Sequence, residues 1–462
     1  MDYSAANTGL WNFVIQIGII AALLLLSNCL RKKLSFIRKA MIPTAVLAGF
    51  LLLLLRTAGI LPVDVDFLNM LTYHGIAIGF IAQSLRINKT QGQEDRSGLK
   101  SGALIVSTYL MQGTAGLIIS LGLCFTFMKD FFPAAGILLP MGYGQGPGQA
   151  NNIGYTYETH GFAGGQSFGL SLAAAGYLCA CIIGVIYLNY LSRKGKVARL
   201  GVRQESFSDG AVTTAETFQD ENEAPLSDSL DRLSMQICLI FAVYFATYLV
   251  SWGLCELLRA VAPGLLGTVE SLLWGFNFII GSVLAMALNG ILKLLNAKKI
   301  VRRQYRNNYL LSRISGFAFD LMIVAGIAAI DIEKLEGLWV PFLLMAVTGG
   351  ILTLVYLQFM CKKLFPNSYY ENLMGFYGML TGTISSGVLL LRELDPEMKS
   401  PAGMNLVTGS SFGIAFGAPM LILVGMAPKS LSMTLLVFGL ILVYWALLLL
   451  YLLKFSGRKK AK

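Results

Sequence analysis

Apolar residues gather along the chain in blocks of about 20, the length of helix that crosses ~30 Å of hydrocarbon. Eleven such spans are predicted. The first five are Leu10–Leu30, Ile42–Ile60, Phe67–Ser84, Ala103–Phe127 and Ser167–Leu191. After a polar stretch come Ser234–Leu254, Val269–Leu295, Leu310–Ile330, Leu338–Met360, Met404–Met426 and Leu431–Leu453.

The polar loops between the spans alternate in charge. One set holds Arg31, Lys32, Lys33, Arg38 and Lys39, then Lys89, Arg96 and Lys100, then Arg193, Lys194, Lys196 and Arg199. The same set continues with Lys298, Lys299, Arg302, Arg303 and Arg306, with Lys362 and Lys363, and with Lys454, Arg458, Lys459, Lys460 and Lys462. The other set holds scattered bases (Arg56, Lys129, Arg259, Lys334, Lys429) and more acid, such as Asp64, Asp66, Asp331, Glu333 and Glu336. Basic loops stay in the cytoplasm, so the N-terminus is expected outside and the C-terminus inside, which an odd number of spans satisfies. Met1–Gly9 lacks a basic run, so the first span is expected to stay as an anchor and not to be cleaved.

Composition agrees. Hydrophobic residues make up 55% and charged residues 13% of 462 positions, with mean hydropathy +0.66. A soluble domain carries about 25% charge. The net charge of +11 therefore reads as topology and not as a nucleic-acid partner. All seven cysteines lie in apolar stretches and predict no disulfide framework. His74 and His160 are too few for a histidine-based metal or relay site.

Two segments break the pattern. Ala134–Thr156 contains Gly142, Gly144, Gly146, Pro147 and Gly148, followed by Gln149, Asn151 and Asn152. Asn372–Leu391 contains Tyr377, Gly378, Thr381, Gly382, Thr383, Ser385 and Ser386. Laid together without gaps, Tyr143-Gly144 meets Tyr377-Gly378 and Asn151-Asn152 meets Ser385-Ser386, 234 positions later. Each segment follows the fourth span of its half, and the two spans end on opposite sides. A run of glycines and proline unwinds a helix, and unwound backbone within a bilayer survives only inside protein or beside water. These segments therefore predict two re-entrant hairpins in an inverted repeat.

The fold class expected is an all-α polytopic membrane protein of about 11 transmembrane helices, with two inverted five-helix repeats that each carry a Gly-rich re-entrant hairpin. The first repeat covers 1–192 with hairpin 134–156, and a cytoplasmic linker covers 193–233. The second repeat covers 234–427 with hairpin 372–391, and an extra helix with a basic cytoplasmic tail fills 428–462. Broken helices offer N–H groups to carboxylates and carbonyls to sodium. The expected substrate-binding residues are Gln145, Gly146, Gly148, Gln149, Asn151, Asn152, Gly378, Thr381, Gly382, Thr383, Ser385 and Ser386.

With these features the sequence resembles the sodium/glutamate symporter family. The likeness covers the Arg31–Lys39 loop with Ile42-Pro43, the stretch around Ile78-Gly79-Phe80, both hairpins and Ser315–Leu335. It implies an inverted-repeat secondary transporter of the plasma membrane, working as a homodimer by an elevator-like movement. Citrate-type 2-hydroxycarboxylate transporters look like structural relatives. The implied partners are a small anionic substrate, the lipid bilayer and Na⁺ as coupling ion, with no other cofactor. Sodium ligands are expected among Asn151, Thr383, Ser385 and Asp320.

Asp320, near the middle of its span, is read as a sodium ligand, a protonatable site, or a structural partner of Arg313. Arg56 is expected to snorkel, and His74 to be a hydrogen-bonded interfacial residue. The leading expectation is sodium-coupled symport of glutamate or a similar carboxylate. The alternative is a proton- or sodium-coupled transporter of another organic anion, such as a 2-hydroxycarboxylate. An intramembrane hydrolase using Ser385 or Ser386 lacks a general base within reach, so no enzyme is expected, and a channel lacks a filter motif.

Overall fold

A computed structural model describes residues 3–4, 7–35, 37, 42–87, 94–197, 231–261, 270, 273–300, 305–395 and 400–457. Most of the linker expected at 193–233, the basic tail from 458 onward and the first residues of the seventh span lie outside the described residues, as does the side chain of Ser385.

Fifteen α-helices are described. They are α1 (Thr8–Lys33), α2 (Thr44–Thr57), α3 (Val65–Ser84), α4 (Glu94–Phe125), α5 (Leu138–Tyr143), α6 (Pro147–Thr159), α7 (Gly165–Arg193) and α8 (Arg232–Val261). They continue with α9 (Asn277–Ala297), α10 (Asn308–Ala328), α11 (Trp339–Leu364), α12 (Tyr369–Thr381), α13 (Ile384–Arg392), α14 (Ala402–Met426) and α15 (Leu431–Gly457). No strand occurs among the described residues. Among the described residues ten helices are long and apolar enough to cross a bilayer. The chain is thus an all-helical, multi-pass membrane protein.

Each of the eleven expected spans meets a helix. The second is the exception in length. It was expected over Ile42–Ile60, but α2 runs only from Thr44 to Thr57. Pro43 starts it, since a proline with fixed φ suits a helix entrance and not its interior. Its far end is tied by Arg56, a half-buried residue. The Arg56 guanidinium donates to the Ala328 carbonyl at 3.0 Å and the Ile330 carbonyl at 2.7 Å, capping the end of α10.

The chain divides into two compact units. One comprises residues 1–72, 92–198 and 321–462; the other comprises 73–91 and 199–320. In the first, α4 is the hub: 83% of its apolar window is buried, against 22% for α1 and α15 at the periphery. Small residues let α14 close on α4. A Cβ on Gly102 would stand 2.7 Å from Phe412 Cβ, and one on Gly409 would stand 2.6 Å from Ser101 Cβ.

In the second unit, Ile81, Ala82, Leu85, Ile240, Val243, Ala285 and Leu311 form a buried core from α3, α8, α9 and α10. Ser315 donates to the Gly79 carbonyl at 2.9 Å, tying α10 to α3. The Asn308 side-chain amide pairs both ways with the backbone of Ile87. His74 is hydrogen-bonded, as expected, to Tyr244 Oη at 2.6 Å.

Candidate functional site

Both glycine-rich segments are helices broken in the middle, and both belong to the first unit. In the first, a 3₁₀ turn (Pro133–Ile137) leads into α5; the chain breaks at Gly144–Gly146 and resumes as α6. Gly146 has φ +86°, a region open to glycine but costly for a residue with a Cβ. Pro147 follows at the first helical position, where its missing N–H is no loss. In the second, α12 ends at Thr381, Gly382 and Thr383 form the break, and α13 begins at Ile384. The two pairs run slightly beyond the expected hairpins, over 133–159 and 369–392.

The two breaks touch. A Cβ on Gly146 would lie 3.7 Å from the Gly382 carbonyl oxygen, 3.7 Å from Thr383 Cγ2 and 3.9 Å from Tyr177 Oη. A Cβ on Gly382 would lie 2.9 Å from Ser386 Oγ and 2.9 Å from the Tyr177 ring. The Thr381 carbonyl is held against α7 at Gly176, where a Cβ would come within 2.2 Å of the oxygen.

Two fully buried tyrosines, one in each broken pair, are anchored alike. Tyr143, at the end of α5, donates to the Ala346 carbonyl at 2.5 Å and meets Cys179 Sγ at 3.3 Å. Tyr377, in α12, reaches the Cys179 carbonyl at 3.5 Å and the Gly350 carbonyl at 3.4 Å. Both hydroxyls land on the same residue of α7 and one turn apart on α11. Beyond them the gapless register slips. α6 begins after Gly146 and α13 after Thr383, a separation of 237 and not 234. Gln149 and Ser386 therefore share the third position of their helices, instead of Gln149 with Thr383 and Asn152 with Ser386.

Neither helix start has a side-chain cap. The first-turn N–H groups and the positive dipole ends of α6 and α13 are thus presented inside the protein. Close to them lie polar atoms with no hydrogen-bond partner among the described residues: Gln149 Nε2 and Oε1, Thr383 Oγ1 and Ser386 Oγ. Gln149 is 1% exposed and Ser386 3% exposed. Burying such groups without partners costs about 1–3 kcal/mol each, so a ligand that pairs them is stabilised accordingly.

Three other expected site residues, Asn151, Thr381 and Gly378, have partners or close packing within the protein. The Asn151 carboxamide oxygen accepts from Gln166 Nε2 at 2.9 Å, so it serves the α6–α7 packing. Thr381 Oγ1 donates to its own helix at Tyr377. Gly378 packs α12 onto α13, with a Cβ 2.7 Å from the Ser386 carbonyl oxygen. Gln145 is partly exposed in the first break, while Gly148 and Asn152 are buried in α6. Asp320 belongs to the other unit, and no ion pair joins it to Arg313.

One residue was missed. Gln112 on α4 is fully buried and donates to Thr353 Oγ1 and to the Leu380 carbonyl, both at 2.9 Å. It satisfies a carbonyl freed where α12 breaks. Its Oε1, without a partner, lies 3.0 Å from where a Cβ of Gly144 would stand. It therefore touches both breaks. An amide in the middle of the apolar fourth span is the signal in the sequence.

The named lining is neutral: helix N-termini, carboxamides and hydroxyls. Among the described residues no three His, Cys, Asp or Glu side chains gather as a metal site. This set suits a small anion held by N–H groups, or a hard cation held by oxygens. Among known proteins, no family profile and no curated sequence matches the chain.

Proposed function

We propose that the protein is a secondary active transporter that couples sodium to the symport of glutamate or a similar small carboxylate by alternating access. The observation that carries this reading is the meeting of two uncapped, buried helix starts at Gly146 and Gly382–Thr383, with Gln149 and Ser386 unpaired one turn in. Two positive helix ends and neutral donors attract a carboxylate without a fixed cation. Sodium bound with the anion lowers the charge that crosses the membrane. In this reading the broken pairs are re-entrant hairpins of an inverted repeat, each dipping from its own side. The matched anchoring of Tyr143 and Tyr377 supports the repeat. The N-terminus lies outside, the C-terminus is cytoplasmic, and the protein works as a homodimer in the plasma membrane.

One observation favours the second reading, a proton-coupled transporter of another organic anion such as a 2-hydroxycarboxylate. Asp320 is a lone carboxylate within a span, and such groups serve as proton carriers in transporters.

Uptake of radiolabelled L-glutamate into proteoliposomes, with choline replacing sodium as control, tests the reading. Saturable, sodium-dependent accumulation is expected. Accumulation driven by a proton gradient alone would move the coupling to Asp320, and uptake of other organic anions but not of glutamate would change the substrate.

A further inference from the structure

The α10 helix carries a face that the hairpin site does not use. Tyr309, Ser312, Arg313, Gly316, Phe317 and Asp320 line a cavity of about 400 Å³ in the second unit. Ser312, Arg313, Phe317 and Asp320 are exposed there. Among the described residues Arg313 and Asp320 form no ion pair, and the guanidinium instead lies 5.1 Å from the Tyr309 ring centre. Asp320 is twelve residues from one end of α10 and eight from the other, so it sits about 12 Å or more from either end at ~1.5 Å per residue.

Three surroundings compete for this face. Lipid is the costliest, because a carboxylate near mid-bilayer is penalised by at least about 2.5 kcal/mol even on the most lenient scale. A second copy of the same face fits no better. In a dimer whose two-fold axis runs along the membrane normal, α10 pairs in parallel. Arg313 then meets Arg313 of the partner subunit and Asp320 meets Asp320 of the partner subunit, each at one depth. Water remains, and it suits a cavity lined by a hydroxyl, a phenol and two opposite charges.

We propose that this face of α10 lines a water-filled groove within the membrane, where Arg313 receives a small carboxylate anion. Arg313 stands nearer the Asn308 end of the helix, and Asp320 lies deeper. An anion arriving from that end is therefore drawn to Arg313 and repelled beyond it, unless a cation accompanies it past Asp320. The anion site extends the transport reading and rests on it; the water-filled groove does not.

The test adds one cysteine, Ser312→Cys or Gly316→Cys, to the otherwise natural chain in proteoliposomes. Both positions accept it: Ser312 is exposed, and a Cβ on Gly316 meets nothing within 4 Å. Membrane-impermeant thiosulfonate reagents, one anionic and one cationic, are applied, and modification is read at that residue by peptide mass spectrometry. Both cysteines are expected to react. At position 312 the anionic-to-cationic rate ratio is expected to fall about fivefold when Arg313→Gln is added, the size of a unit charge acting across several ångströms of water. At position 316, Asp320→Asn is expected to raise the ratio.

Reaction only with a membrane-permeant maleimide, or with no reagent, would place the face in lipid or protein and overturn the groove. Reaction with a ratio indifferent to Arg313 would overturn the anion site. Both readouts are independent of substrate, so a failure of glutamate uptake is distinguishable from either.

Discussion

Gly146 and Gly382 face each other where the two broken helices meet: a Cβ on Gly146 would stand 3.7 Å from the Gly382 carbonyl oxygen. The first holds a positive φ, and the second is closed in by Ser386 and Tyr177. Gly146→Ala forces a Cβ onto a backbone at φ +86° with extended ψ, a region essentially reserved for glycine, at a cost of about 1–3 kcal/mol. Gly382→Ala meets two atoms at 2.9 Å. Each variant is expected to insert and purify normally, while uptake falls by about tenfold or more, because a shift of about 1 Å in a binding geometry costs up to ~100-fold. Gly290→Ala, with nothing within 4 Å, is the control that should leave uptake unchanged.

Tyr143→Phe and Tyr377→Phe each remove a hydroxyl that reaches a carbonyl of α11, at Ala346 and Gly350. Each is expected to destabilise by about 1 kcal/mol, with a further cost from the carbonyl left unpaired. Both also lean on Cys179, so the double variant should depart from additivity by about 0.5 kcal/mol or more. A thermal-unfolding cycle in detergent measures it.

Arg56→Gln removes the charged cap on Ala328 and Ile330. Charge-assisted hydrogen bonds contribute about 1.5–3 kcal/mol, so the melting temperature should fall by several degrees. Arg56→Lys should recover only part of it, since one ammonium does not reproduce the fork that reaches two carbonyls.

Glu393 follows α13 and is partly buried, and that burial pushes its carboxyl above the usual range. A raised folded-state pKa contributes stability that is present at low pH and fades as pH rises through it. Between neutral pH and about pH 4.3, the ordinary glutamate value, the natural protein should gain stability relative to Glu393→Gln on acidification. Parallel pH profiles of thermal unfolding for the two proteins check the sign.

The sequence made the spans legible because a membrane helix must bury or coat every turn with apolar side chains. The glycine run from Gly142 to Gly148 marks the first break, which the structure confines to Gly144–Gly146, since Gly142 lies in α5 and Gly148 in α6. The register was less legible: Tyr143 and Tyr377 anchor alike, but the arms after them differ in length by three residues. Hydropathy does not see such a slip, because both arms are equally buried. The end of α2 is less legible, because the apolar run continues to Ile60 while the helix stops at Thr57, ahead of Gly59 with φ +70°. Arg56 caps α10 through residues 272 and 274 positions away, which local sequence does not show. Asn151 and Gln112 make an instructive pair. Both are buried amides, and only the tertiary arrangement decides that Gln166 occupies the first while the second reaches both breaks.

In the function proposed, a carboxylate is held between the starts of α6 and α13. Calorimetric titration of L-glutamate into the purified protein, in sodium and in choline, tests it most directly when run beside Gln149→Leu and Ser386→Ala. Saturable binding in sodium is expected, weakening at least about tenfold in each variant, or ~1.4 kcal/mol. Sodium-dependent binding of unchanged affinity in both variants would contradict it and place the anion elsewhere in the molecule.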